Sequence, residues 1–126
     1  MKTILVDAWN TFVTENGINE ELFMLLESFP NPKIILTNAN EEERIKFGII
    51  SMPYQVFSCD HHPDKINPIF YQKLLERYSL SPEETLYFEH NIDHVNSALS
   101  IGIQAEHYDK DRKDIESLKK FLQANL

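Results

Sequence analysis

The chain has 126 residues, 42% of them hydrophobic and 25% charged, the proportions of an ordinary globular domain. Its 20 acidic and 12 basic side chains leave a formal net charge of −8, which argues against nucleic acid or an anionic membrane surface, since both select a basic face. No run approaches the ~20 apolar residues of a membrane span, no signal-peptide pattern follows Met1-Lys2, and the single cysteine, Cys59, rules out an internal disulfide. The expectation is one cytoplasmic domain over residues 1–126, with no nucleic-acid or membrane partner.

Thr3-Ile4-Leu5-Val6 is a short β-branched run that stops at Asp7, the pattern of a strand buried on both faces. Asn16-Gly17 marks a turn. Ile18, Leu22, Leu25, Leu26 and Phe29 then recur at helical spacing until Pro30-Asn31-Pro32 ends the helix. Lys33-Ile34-Ile35-Leu36 is a second buried strand, ending at Thr37-Asn38. Asn40 with Glu43 three places on predicts a capped helix closed by Gly48. Within it, Glu41-Glu42-Glu43 reads as a solvated first turn that suits the helix dipole. Tyr54-Gln55-Val56-Phe57 is a weaker third strand, and Asn67-Pro68 opens a helix with Phe70, Leu74 and Tyr78 inward.

After the turn Ser81-Pro82-Glu83-Glu84, Thr85-Leu86-Tyr87-Phe88 is a fourth strand that ends at Glu89. Ile92, Val95, Ala98, Leu99 and Ile101 form the next helical stripe, stopped by Gly102. Ile103 to Glu106 reads as a short edge strand, and Asp111 as the cap of a last helix carrying Ile115, Leu118, Phe121 and Leu122 inward. Strands alternating with helices predict an α/β fold: three layers, a mainly parallel five-stranded sheet and helices on both faces. In such sheets ligands bind beyond the carboxyl ends of the strands, near the switch in strand order.

Those strand ends carry Asp7 with Trp9 and Thr11, then Thr37-Asn38, then Cys59-Asp60-His61-His62 with Lys65, and finally Glu89-His90. Two carboxylates, a hydroxyl, an amide and an ammonium would meet in one crevice. Loops are polar anyway, so no single position decides; the ordered set of acid, hydroxyl, lysine and acid does.

That order resembles the haloacid dehalogenase-like (HAD) superfamily over nearly the whole chain. Its first motif, a strand and Asp-x-Asp-x-Thr, is matched by Ile4-Leu5-Val6-Asp7-Ala8-Trp9-Asn10-Thr11; its second, a strand ending in Thr or Ser, by Ile34-Ile35-Leu36-Thr37-Asn38. The third, a lysine opening a helix, is matched by Lys65-Ile66-Asn67-Pro68, and the fourth, a strand ending in two acids, by Leu86-Tyr87-Phe88-Glu89-His90-Asn91. The resemblance implies a Rossmannoid fold and a phosphatase-type hydrolase in which Asp7 forms a covalent aspartyl intermediate. It further implies that Thr37, Asn38 and Lys65 bind the phosphoryl group, and that Mg²⁺ is held by Asp7, the backbone carbonyl of Trp9, and Glu89.

Three positions depart from the pattern. Trp9 stands where the phosphatases carry a second Asp, and an indole cannot transfer the proton that this acid supplies, a loss on the order of 10²–10⁴ in rate. Glu89 is one methylene longer than the usual Asp ligand. His90 replaces a further acid, so Mg²⁺ retention is expected to fall. Asn10, in the usual Gly position, is milder because Asn tolerates left-handed backbone. An aromatic at position 9 resembles the metal-independent dehalogenase branch, but the stretch between Asp7 and Thr37 holds only a turn and a helix, so no cap encloses the site.

The leading reading is a divergent, capless hydrolase acting on a phosphorylated small molecule or macromolecule. The alternative is a pseudoenzyme or binding module that keeps an anion pocket at Thr37 and Lys65. A receiver domain also has an Asp, a Thr and a Lys, but its acceptor Asp follows strand three, where this chain lacks a clear one. His90 and His94, four apart, and His61-His62 could build a transition-metal site; the plainer reading is solvated helix-start and loop histidines. Cys59 reads as a small buried hydrophobe. An open site of this kind is commonly completed by association, a homo-oligomer included.

Overall fold

In the computed structural model, which describes residues 1–126, Thr3–Asp7 (β1) is buried at every position and forms the middle of the sheet. Val13–Thr14 (β2) and Gly17–Ile18 (β3) make a tight hairpin, with Gly17 at φ 98°. Glu20–Glu27 (α1) leads to Lys33–Leu36 (β4), Glu41–Lys46 (α2) and Gln55–Phe57 (β5). Pro68–Arg77 (α3), a 3₁₀ turn at Pro82–Glu84, Thr85–Glu89 (β6), Ile92–Leu99 (α4), Gln104–His107 (β7) and Ile115–Asn125 (α5) complete the chain.

The five long strands lie in the order β5-β4-β1-β6-β7, each pair parallel. The chain moves from β1 out to β5 on one side and then returns to build β6 and β7 on the other. The switch in strand order therefore falls at β1, whose last residue is Asp7.

Alternation along the strands feeds two cores. Ile4 and Val6, with Leu86 and Phe88, pack on Leu22 and Leu26 of α1 and Leu118 and Leu122 of α5. Leu5, Ile34, Leu36 and Tyr87 face the other way, onto Phe70, Tyr71 and Leu74 of α3 and Ala98 of α4. Each such aliphatic or aromatic side chain contributes about 1.5–3 kcal/mol when taken out of water. This is the expected three-layer α/β fold with a parallel five-stranded sheet and no cap. Between β1 and β4 the chain holds only the hairpin and α1. No helix is long and apolar enough to cross a membrane.

Four local expectations are corrected. Ile18 belongs to the hairpin rather than to the first helix, because Asn19 caps α1 by accepting the N–H of Leu22. Ile92 and Leu99 are 51% and 46% exposed; only Val95 and Ala98 of α4 face the sheet, the narrow contact an eight-residue helix makes. Ile103 closes α4 by donating to Ala98, so the edge strand begins at Gln104. The last helix is capped by Asp114 and not by Asp111: the Asp114 carboxylate accepts the N–H of Ser117, whereas Asp111 lies in a turn held by the carboxylate of Asp109.

Asp114→Ala is expected to lower stability by about 1 kcal/mol through the lost cap, and Asp111→Ala by less than about 0.5 kcal/mol. Urea denaturation of both variants checks the cap position; equal losses would contradict it.

Candidate active site

Parallel register brings the strand ends together. Val6 pairs with Phe88, so Asp7 and Glu89 finish adjacent strands side by side, and Asp7 pairs with Leu36, which puts Thr37 and Asn38 just beyond on the other flank. The loop after β5 returns across them and delivers Lys65. The Lys65 ammonium, only 4% exposed, donates to Asp7 Oδ1 and to Glu89 Oε1, each at 2.6 Å. Its backbone N–H donates to Asn38 Oδ1 at 2.6 Å, so Asn38 fixes where the lysine enters.

The remaining lone pairs are nearly all used. Asp7 Oδ2 accepts from the Thr11 hydroxyl at 2.7 Å and is in contact with His90 Nδ1. Glu89 Oε1 accepts from the Tyr87 hydroxyl at 2.6 Å, and Oε2 accepts from the Asn91 N–H at 2.9 Å and lies 3.2 Å from His90 Nδ1. His94 Nδ1 is 3.3 Å from Glu89 Oε1. Thr37 Oγ1 accepts the N–H of Ala39 at 3.1 Å, which leaves its own O–H free to donate. Asp7 Oδ1 has a single partner, so it is the carboxylate oxygen best able to attack.

The charges balance within the protein. Burial opposes the charge of Lys65, but attraction to Asp7 and Glu89 outweighs it and holds its pKa above the usual lysine value. Burial would raise Glu89, yet Lys65 and the bonds from His90 and His94 hold it well below the usual carboxylate range. For His90, burial is likewise outweighed by Asp7 and Glu89, and its pKa is pushed up to about 9. Two carboxylates thus face one ammonium and one imidazolium.

Above this cluster is a cleft of about 170 Å³, lined by Asp7, Thr37, Asn38, Lys65, His90 and His94 at its base and by Trp9, Phe47, Glu43 and His61 at its walls. That is below the ~300–1,000 Å³ of drug-sized ligand sites and suits a phosphoryl-sized group. Trp9 forms a wall with Phe47, their ring centroids 4.9 Å apart. Asn10 after it sits at φ 68°, in the left-handed region expected of this Asn.

Solved structures share this arrangement of elements. A HAD-family enzyme from Bacteroides thetaiotaomicron, solved with magnesium and inorganic phosphate, superposes with a TM-score of 0.68 at 11% identity, over 87% of this chain and 95% of that one. The core domain of a phosphoglycolate phosphatase candidate from Streptococcus pneumoniae superposes with a TM-score of 0.64 at 13% identity, over 98% and 96%. A second such candidate, from Lactobacillus plantarum, gives 0.62 at 17% identity, over 76% of this chain and 50% of that one. The fold is haloacid dehalogenase-like. No family model and no curated protein matches the sequence itself.

Ligand atoms of Asp7, Glu89 and His90 lie within 4.8 Å of one another, close enough to hold a metal ion. Mg²⁺ takes oxygen ligands in near-ideal octahedral geometry, and an imidazole nitrogen suits softer divalent ions. His90 Nδ1 also lies against both carboxylates, where a metal would have to enter. The donor set therefore fits Mg²⁺ poorly, and the positive charge that a metal would add is already supplied by Lys65 and His90.

The histidines are not all solvated bystanders. His90 and His94 pack against Asp7 and Glu89, and His61 lines the cleft; His62 and His107 are exposed outside it. Glu43 of the acidic run is likewise in the cleft wall, bonded to His61. Tyr87 reads as core in the sequence, yet its hydroxyl holds Glu89; two positions before a strand-end acid on the same face is the available signal. Cys59 is partly buried against the second core, and burial pushes its thiol up, away from a reactive thiolate.

Lys65→Met would leave Asp7 and Glu89 buried without their cation, and is expected to cost about 3–5 kcal/mol of stability in urea denaturation. Because His90 has a higher pKa folded than its ordinary 6.5, its contribution to stability is complete below that value and fades as pH rises through about 9. Unfolding free energy should fall across that window in the native sequence, and this part of the slope should vanish in His90→Gln.

Proposed function

We propose that the protein is a HAD-type hydrolase of phosphate esters that works through an aspartyl phosphate on Asp7. The observation that carries this reading is the buried Lys65 ammonium 2.6 Å from Asp7 Oδ1, at the strand switch point and beneath a phosphoryl-sized cleft. Asp7 attacks phosphorus. Lys65 attracts both nucleophile and phosphoryl oxygens, and the free Thr37 O–H donates to one of those oxygens, so charge developing in the transition state meets donors already in position. Asn38 contributes by holding Lys65. The cleft takes the phosphoryl group and leaves the rest of the ester outside, which suits a phosphorylated small molecule or an exposed phosphate on a larger one.

Mg²⁺, if held here, would use the carboxylates of Asp7 and Glu89 with the Trp9 carbonyl, and His90 would have to withdraw. Dependence on Mg²⁺ is accordingly expected to be weak. A second reading, a binding module, is favoured by one observation: Lys65, Thr11 and His90 already engage both oxygens of Asp7. Such a site could hold an anion without turnover.

Hydrolysis of p-nitrophenyl phosphate separates the two. Turnover that is abolished by Asp7→Asn, little changed by EDTA, and made Mg²⁺-responsive by His90→Asp supports the hydrolase. Phosphate binding that requires Thr37 and Lys65, with no turnover, would instead establish the binding module.

A further inference from the structure

The proposed reaction lacks its proton donor, because Trp9 replaces the acid that would protonate the leaving group. The cleft contains another. His61 lies in the loop that follows the edge strand β5, two strands from Asp7, while Glu89 and His90 flank Asp7 from the β6 side. His61 and Glu43 line the same cleft as Asp7, Thr37 and Lys65, and neither bonds to the Lys65 cluster. The Glu43 carboxylate accepts from His61 Nε2 at 2.6 Å. That carboxylate is itself anchored: Glu43 Oε1 accepts the Asn40 N–H at 3.1 Å, and the Glu43 N–H donates to Asn40 Oδ1 at 2.9 Å, a capping box at the start of α2.

A carboxylate on one ring nitrogen fixes the tautomer and leaves the other nitrogen for proton exchange, the logic of a histidine–acid dyad. Here Nε2–H is held by Glu43, and Nδ1 makes no hydrogen bond, its nearest charged group being the Asp64 carboxylate at 3.9 Å. Asp60 and His61 both adopt left-handed backbone, at φ 52° and 70°, which turns the loop after β5 back toward α2.

Resting on the hydrolase reading, we infer that the His61–Glu43 dyad is the general acid and base of this site, replacing the missing acid at position 9. In the first half, the Asp7 oxygen bonds to phosphorus as the bond to the ester oxygen breaks; that oxygen keeps the electron pair and takes the proton of His61 Nδ1. In the second half, water attacks phosphorus and gives its proton to Nδ1. The bond to Asp7 breaks with its electron pair returning to the carboxylate.

The test is single-turnover phenol release from phenyl phosphate, whose leaving oxygen needs a proton, and from p-nitrophenyl phosphate, whose leaving oxygen does not. H61Q is expected to slow the first by about 10²–10⁴-fold and the second far less. E43Q, which retains the capping geometry, should change both in the same sense by a smaller factor. Adding W9D to H61Q should restore part of the phenyl phosphate rate, and H62Q should leave both rates unchanged. A loss that is equal for the two esters, or no loss, would overturn the assignment. No phenol release by the native protein, or equal release by D7N, would overturn the nucleophile reading beneath it.

Discussion

A lysine ammonium buried between two carboxylates organises this protein. Parallel pairing of β1 with β6 ends both strands in an acid, and two like charges cannot be left together in a dry interior. Lys65 resolves the conflict by reaching both at 2.6 Å. Its own placement depends on Asn38 at the end of β4, and the remaining carboxylate lone pairs depend on Thr11, Tyr87 and Asn91. Residues from every central strand thus converge on one cation, and each loses its reason to be polar if that cation is removed. A buried network of this kind is valuable only when every member is satisfied.

The same bookkeeping of charge shapes what the site can do. With Lys65 and His90 facing Asp7 and Glu89, the carboxylates have little negative charge left for a divalent ion, although their ligand atoms are close enough to hold one. In the proposed reaction the chemistry falls to groups already in the chain: a carboxylate oxygen with one partner, a free threonine O–H, and a histidine held by Glu43 in the lining of the cleft. Trp9 packs against Phe47, the rings tilted by 41°, and the pair lines the cleft.

Much of this was legible in the sequence because it depends on short-range pattern. β-branched runs that end in a polar residue gave the buried strands and, with the α/β alternation, the position of Asp7, Thr37, Lys65 and Glu89 at one edge. Other features depend on register and loop path, which a pattern does not encode. His90 touches Asp7 only because Val6 pairs with Phe88. Glu43 and His61 meet across 18 positions through the curl of the β5 loop. Tyr87 looked like core because its ring is core; only the hydroxyl belongs to the site. The sequence pointed to Asp111 as the last cap, but Asp111 is tied into the turn at Asp109 and Asp114 caps the helix.

The central claim is that Asp7, held by Lys65, is the atom donor to phosphorus. Mixing the protein with p-nitrophenyl phosphate, quenching in acid within a turnover and mapping the peptides by mass spectrometry tests it directly. The account predicts one phosphoryl group on the peptide containing Asp7, and none in Asp7→Asn. Turnover with Asp7 unmodified, or a phosphoryl group on another residue, would contradict it.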